Sequence, residues 1–212
     1  MARGRIVIDL FTTLDGVAQA PGGPDEDPSN GFPWGGWQAP IPDAMVGEQV
    51  DAYIHSMDAL LLGHRTYDIF AAYWPQHTDG PAGLIGRTFD AVPKYVASRR
   101  AFEPEWSGTT RIGDDIGHEV EALRHRHAEV HVVGSVDLVQ TLLARELYDE
   151  LRLWVYPVVL GEGKRVFPDA ATPARLRLVE PPISGDGGVV QLRYAPAGSP
   201  ITGDMEAVDR DG

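Results

Sequence analysis

The chain has 212 residues with a hydrophobic content of 43% and a charged content of 23%, which fits one domain with a substantial core. A formal net charge of −13 excludes a broad nucleic-acid surface, and no apolar run approaches the ~20 residues of a membrane span. The absence of cysteine excludes disulfides, thiol catalysis and thiolate metal sites, and the basic, then apolar N-terminus is interrupted by Asp9 as no signal peptide is, so the expectation is a cytoplasmic protein.

"RIVIDLFT" (5–12) reads as a first strand. Residues 14–42 follow, loaded with Gly and Pro and rich in acids (Asp25, Glu26, Asp27). A connection this long inside a domain is uncommon and often a functional lid, and Phe32, Trp34 and Trp37 argue for a partly ordered flap over a disordered insertion. Asp43 is placed to cap a helix running to about Met57. A strand (58–62), a helix from Thr66 to Tyr73 ended by Trp74-Pro75, a short helix (81–92) and a strand "KYVASR" (94–99) come next. Helix 115–128, strand "EVHVVG" (129–134), helix 136–146 and strand "ELRLWVYPVVL" (150–160) continue the alternation, and strands 174–180 and 188–195 close it. Alternating strands and helices predict an α/β domain over residues 1–198: a mostly parallel sheet between two helical layers, with an antiparallel C-terminal edge. Residues 199–212 form an acidic tail expected to fray.

Three strand ends share one chemistry. "LLLGHRTYDIF" runs from apolar strand through Gly63 to His64, Arg65 and Thr66; "KYVASR" ends in Ser98 and Arg99; "VVGSVDLVQTLL" passes through Gly134 and Ser135 into a helix. Open α/β sheets bind ligands beyond the carboxyl ends of their strands. Glycine there admits close backbone approach, a helix N-terminus offers free N–H groups, and Arg, Ser and Thr add bonds to phosphate oxygens. Singly each is an ordinary turn; together they read as a phosphate cradle. No GxGxxG or GxxxxGK[ST] motif accompanies them.

In order and spacing, "TTLDGV", "LLLGHRTYDIF", "KYVASR", "VVGSVDLVQTLL" and "DELRLWVYPVVLGEGKRVFP" resemble the dihydrofolate reductase-like superfamily, and within it the branch that includes the C-terminal reductase domain of riboflavin biosynthesis. The resemblance spans residues 5–195. It implies a dihydrofolate reductase-like α/β/α fold and a NADPH site across the strand ends. Gly63, His64, Arg65 and Thr66, with Ser98 and Arg99, would hold the adenosine phosphates; Gly134, Ser135, Val136 and Leu138 the pyrophosphate; Val17 and Ala18 would lie by the nicotinamide under the 14–42 flap. His64 stands where the family often has Arg, which leaves the preference for NADPH over NADH to Arg65, Ser98 and Arg99. The resemblance also implies a homodimer paired through sheet edges.

The expected reaction is hydride transfer to a small planar heterocycle, pyrimidine- or pterin-like. A folate reductase would need an acid from the 43–57 helix, Glu48 or Asp51, in the pocket; a sensor without turnover would need the cofactor site alone. Asp9 is the candidate catalytic side chain, either on a solvent-facing sheet surface or turned into the cleft to orient or protonate a ring. Trp34, Trp37 and Tyr67 either stack on substrate or pack as core. His118, His125, His127 and His131 lack the spacing of a metal site, so no metal is expected.

Overall fold

The computed structural model describes residues 3–205, so the end of the acidic tail, from 206 on, lies outside the described residues. The strands are β1 (Arg5–Thr13), β2 (Ala59–Gly63), β3 (Lys94–Ala97), β4 (Thr109–Ile112), β5 (Glu129–Val132), β6 (Glu150–Tyr156), β7 (Leu176–Leu178), β8 (Ile183–Ser184) and β9 (Val190–Pro196). The helices are α1 (Ala44–Ser56), α2 (His64–Tyr73), α3 (Gly83–Ala91), α4 (Ile116–Arg126) and α5 (Val136–Ala144). Among the described residues the strands join one sheet in the order β4-β3-β2-β5-β1-β6-β9-β7, with β8 on β9. Pairing is parallel from β4 through β6 and antiparallel at β9, β7 and β8.

β1 lies at the centre, which is why it is buried on both faces and reads as an almost unbroken apolar run. Its period of two sorts the core. Ile6, Ile8 and Leu10 pack with Val120, Leu123, Val139 and Leu142 of α4 and α5. Arg5, Val7, Asp9 and Phe11 turn the other way. On that second face the register sets Val7 beside His131 and Glu150, Asp9 beside Arg152, and Phe11 beside Trp154. The lower half of this face is therefore charged and the upper half aromatic, and α1 lays Tyr53 and Ile54 over it.

Several boundaries differ from the sequence-based expectation. α2 begins at His64, not Thr66, with Gly63 as its N-cap, so the polar trio is the first helical turn. The strand expected over 150–160 stops at Tyr156, where Pro157 has no N–H for the ladder. The strand expected over 174–180 shortens to Leu176–Leu178, and Pro181-Pro182 separates it from β8. β4, "TTRI", carries no alternation strong enough to signal a strand; it is a half-exposed edge recruited by β3. The acid-rich 14–42 segment folds back on itself: Trp37 Nε1 donates to the Gln19 carbonyl at 2.8 Å, Gln19 Nε2 donates to the carbonyls of Asp27 and Ser29 at 2.9 and 3.1 Å, and Val17 bridges to Arg165.

One buried cation secures the α3–β3 connection. Lys94 is fully buried, and its Nζ donates to the carbonyls of Phe89, Asp90 and Val92 at 2.8, 2.9 and 2.9 Å while lying 4.6 Å from the Trp106 ring centroid. It thus satisfies the orphan carbonyls at the end of α3 and meets the negative end of the helix dipole. Burial lowers its pKa, and Asp90 partly restores it. Lys94→Met keeps the length but removes the donor shared by three carbonyls, that of Phe89 buried; it should lower unfolding free energy by about 2–4 kcal/mol in urea melts, and an unchanged midpoint would show the carbonyls finding other donors.

Candidate active site

A cleft of about 700 Å³ opens beside the ends of β1, β2 and β5, large enough for a cofactor headgroup and a small substrate together. One end is formed by Arg65 and Thr66 of α2 and by Gly134, Ser135 and Val136 at the start of α5. Here the two strand–helix junctions interlock. A Cβ at Gly63 would fall 2.1 Å from Ser135 Oγ, and one at Gly134 2.8 Å from Thr66 Oγ1, so both positions demand glycine for close approach. Neither Gly63 nor Ser135 caps its helix with a side chain, which leaves the first N–H groups of α2 and α5 free for a ligand. The rest of the lining is largely apolar and aromatic and includes Phe11, Val50, Tyr53, Phe70 and Trp154 together with Asp9.

The structure divides the sequence-derived candidates. Asp9, Ala18, Arg65, Thr66, Gly134, Ser135 and Val136 line the cleft. Val17, Gly63, His64, Ser98, Arg99 and Leu138 stand outside its lining: Val17 and Leu138 pack in the two cores, and His64 Nδ1 meets Ser98 Oγ at 2.9 Å while its ring lies against Phe102. Arg99 is exposed. The substrate candidates also lie outside. Trp34 is half exposed and donates to Glu162, and Trp37 is buried within the 14–42 segment. Tyr67 Oη accepts from the backbone N–H groups of Glu105 and Trp106 at 3.0 Å each, which makes it a core residue. Glu48 and Asp51 are on the exposed side of α1, whose cleft side carries Val46, Gly47, Val50 and Tyr53, so neither helix carboxylate lines the pocket.

Two groups escape a reading of motifs. The first is at the mouth, where Asp27 of the flap accepts from Lys164 Nζ at 2.6 Å, from Arg65 Nη1 at 2.9 Å and from Ser29 Oγ at 2.6 Å. Arg65 and Lys164 are the cations of the cleft lining, and both are held by this carboxylate, whose pKa burial would raise but the Lys164 and Ser29 hydrogen bonds lower. The second lies beneath the floor. His131, fully buried, meets Asp9 Oδ2 through Nδ1 at 2.5 Å and Glu129 Oε1 through Nε2 at 2.9 Å. Both ring nitrogens face carboxylates, and only the imidazolium can donate from both. Arg152 stands 3.6 Å from Asp9 Oδ1 and donates to Glu150 at 2.6 Å. Alternation in "EVHV" places His131 and Glu129 on one face, but only the strand pairing brings Asp9 to them.

The fold is dihydrofolate reductase-like: a mostly parallel sheet with an antiparallel edge, flanked by helices, with the cleft at its strand ends. Residues 5–189 match the RibD C-terminal domain family, and the chain belongs to that family of reductases. It is 29% identical over 196 residues to the uncharacterised protein YyaP of Bacillus subtilis (strain 168), covering 90% of this chain and 94% of that protein. Among solved structures, a putative riboflavin biosynthesis protein from Shewanella sp. PV-4 superposes with a TM-score of 0.64 at 18% identity, covering 91% of this chain and 99% of that one. A pyrimidine reductase-like protein from Corynebacterium diphtheriae gives 0.61 at 15% identity, covering 92% of each chain. The riboflavin biosynthesis reductase Rib7 of Saccharomyces cerevisiae gives 0.59 at 16%, covering 92% and 89%. Among the described residues no helix is long and apolar enough to cross a membrane.

The His131 cluster beneath the floor of the cleft makes stability depend on pH. Burial opposes the charge on His131, but the attraction of Asp9 and hydrogen bonds to Asp9 and Glu129 prevail and raise its pKa to about 9. A folded-state pKa above the unfolded value of about 6.5 means the contribution is complete below that pH and is lost as pH climbs through about 9. Urea melts should show unfolding free energy falling over this window by on the order of 2–3 kcal/mol. His131→Gln should be less stable at pH 6.5 and lack most of that decline; an equal slope in the variant would place the titration elsewhere.

Proposed function

We propose that this protein is a NADPH-dependent reductase that delivers hydride to a small planar heterocycle. The observation that supports it best is the continuity of the cleft, which joins free helix N-termini and Arg65 at one end to an aromatic pocket floored by Asp9 at the other. The bound dinucleotide would supply the hydride, accepted at an electron-poor ring or exocyclic carbon while the adjacent heteroatom takes up a proton. The free N–H groups at the start of α5, with Thr66 and Arg65, would hold its phosphates. Flap residues Ala18 to Asp27 roof the cleft and would exclude water from the reacting atoms.

The electrostatics add a condition. Asp25, Glu26, Asp27 and Asp137 join Asp9 in the lining, against Arg65 and Lys164 alone as cations. A phosphate must therefore be held by placed contacts, and it competes with Asp27 for them. Titration of NADPH by quenching of tryptophan fluorescence tests both points. Wild type should bind in the micromolar range, Arg65→Ala about tenfold more weakly, and Asp27→Asn about 3–10-fold more tightly. Absence of NADPH binding in wild type would remove the reductase reading. Weaker binding in Asp27→Asn would instead make the Asp27 bridge part of the bound state.

A further inference from the structure

Helices α1, α2 and α3 supply a part of the cleft lining that is apolar and open. Beyond Thr66, α2 turns Ile69, Phe70 and Tyr73 to the cavity, one stripe at helical spacing. α1 faces the same cavity with Gly47 and Val50, and α3 with Ile85. The Phe70 ring is held in place, stacked on Phe89 at 5.6 Å and edge-on to Trp74 at 5.9 Å. Tyr73 ends the stripe, 46% exposed, with its ring stacked on His77.

Gly47 shows that this part of the cleft has room to spare. It stands inside α1, where glycine is a poor helix former, yet a Cβ there would meet nothing within 4 Å. Neither a left-handed φ nor close packing demands glycine at this position, so what it provides is space. Charge decides what that space can hold. Among the described residues Arg65 and Lys164 are the cations of the lining, and both are tied to Asp27 beside the first turn of α2. Tyr73 lies eight residues further along the same helix, about 12 Å away. Every other charged residue of the lining is an acid. A phosphate or carboxylate set against Ile69, Phe70 and Tyr73 would lose water with no cation beside it, whereas a flat uncharged group buries its own apolar surface and theirs.

Resting on the reading of this cleft as a reductase site, we infer that the α1–α2–α3 wall is a subsite for an uncharged aromatic substituent on the substrate ring, and that it rejects a phosphorylated one. Gly47 leaves the substituent its room, Val50, Ile69 and Ile85 enclose it, and Phe70 and Tyr73 offer aromatic surface. Discrimination comes from the missing cation: the substrate that carries an anion at this place must bury it unpaired.

The probes are 2-naphthol and 2-naphthyl phosphate, one ring system without and with the charge, titrated calorimetrically at pH 7 into the full-length protein with and without NADPH. With NADPH present, wild type should bind 2-naphthol about tenfold more tightly than 2-naphthyl phosphate. Gly47→Trp, which fills the open space, should weaken 2-naphthol about tenfold, and Ile69→Asp about fivefold. Gly47→Arg, which adds the missing cation, should tighten 2-naphthyl phosphate about tenfold. Thermal melts exclude misfolding, and the two Gly47 variants carry the test if Ile69→Asp fails to fold. Equal affinity of wild type for the two probes, or no 2-naphthol binding at all, overturns the subsite. So does 2-naphthol binding unchanged in Gly47→Trp and Ile69→Asp, which would place the probe elsewhere, as in the smaller cavity of about 240 Å³ beside Phe167. Failure of NADPH to bind wild type overturns the reductase reading instead, and the titrations without cofactor still decide the subsite.

Discussion

The fold depends on an array of alternating charges, buried at its centre and exposed at Arg5, laid across its central strands. Arg5 and Asp9 of β1, Glu129 and His131 of β5, Glu150 and Arg152 of β6 and Arg193 of β9 pair with one another on a single face of the sheet. Such a network is weak evidence for stability, because desolvation opposes the attraction. Its force is in specificity. A slip of one residue in any of these strands would carry its charges to the opposite face, where Ile6, Ile8, Val130, Val132, Leu151 and Leu153 pack against α4 and α5 without a polar partner. Register is thus enforced by the cost of the alternative.

That constraint also locates the chemistry. The charged half of the face gives way to aromatic residues toward the strand ends, and Asp9 is at the boundary, tied to His131 and buried in the wall of the cleft. Tyr53 covers this boundary from α1, and its hydroxyl is kept protonated by burial and by the charge on Asp9. A helix whose outer face is acidic therefore contributes an aromatic side chain to the pocket, while its carboxylates remain in solvent.

The strand–helix junctions that form one end of the cleft were legible in the sequence because their signal is local: a glycine, a small polar residue and a helix start, repeated at β2 and β5. The third junction, Ser98-Arg99, carries the same letters but turns to His64 and the backbone of Arg100, because packing beside α2 decides where its side chains go. The aromatic candidates, open in the sequence between stacking platform and core, are decided for a related reason. Trp37 and Tyr67 have the composition of a stacking platform, yet each has a buried backbone partner that makes it core. Non-local features had no sequence signal. β4 exists because β3 presents an edge; the Asp27–Lys164 pair spans 137 positions of chain, and Asp9 and His131 are 122 apart. The order within the 14–42 segment was readable from its aromatics, but not the carboxylate that ties it to Arg65 and Lys164.

The chain carries lysine only at positions 94 and 164, and the fold gives the two amines opposite chemical lives. Lys94 is sealed behind three carbonyls and an indole, so an acylating reagent can reach it only when that part of the molecule opens. Lys164 lies at the mouth of the cleft on the flap carboxylate, where its nucleophilicity follows the making and breaking of one ion pair. Ordinary amine labelling therefore separates two events without any engineered probe: modification at 164 follows breaking of the Asp27 ion pair, and modification at 94 follows opening of the scaffold around it.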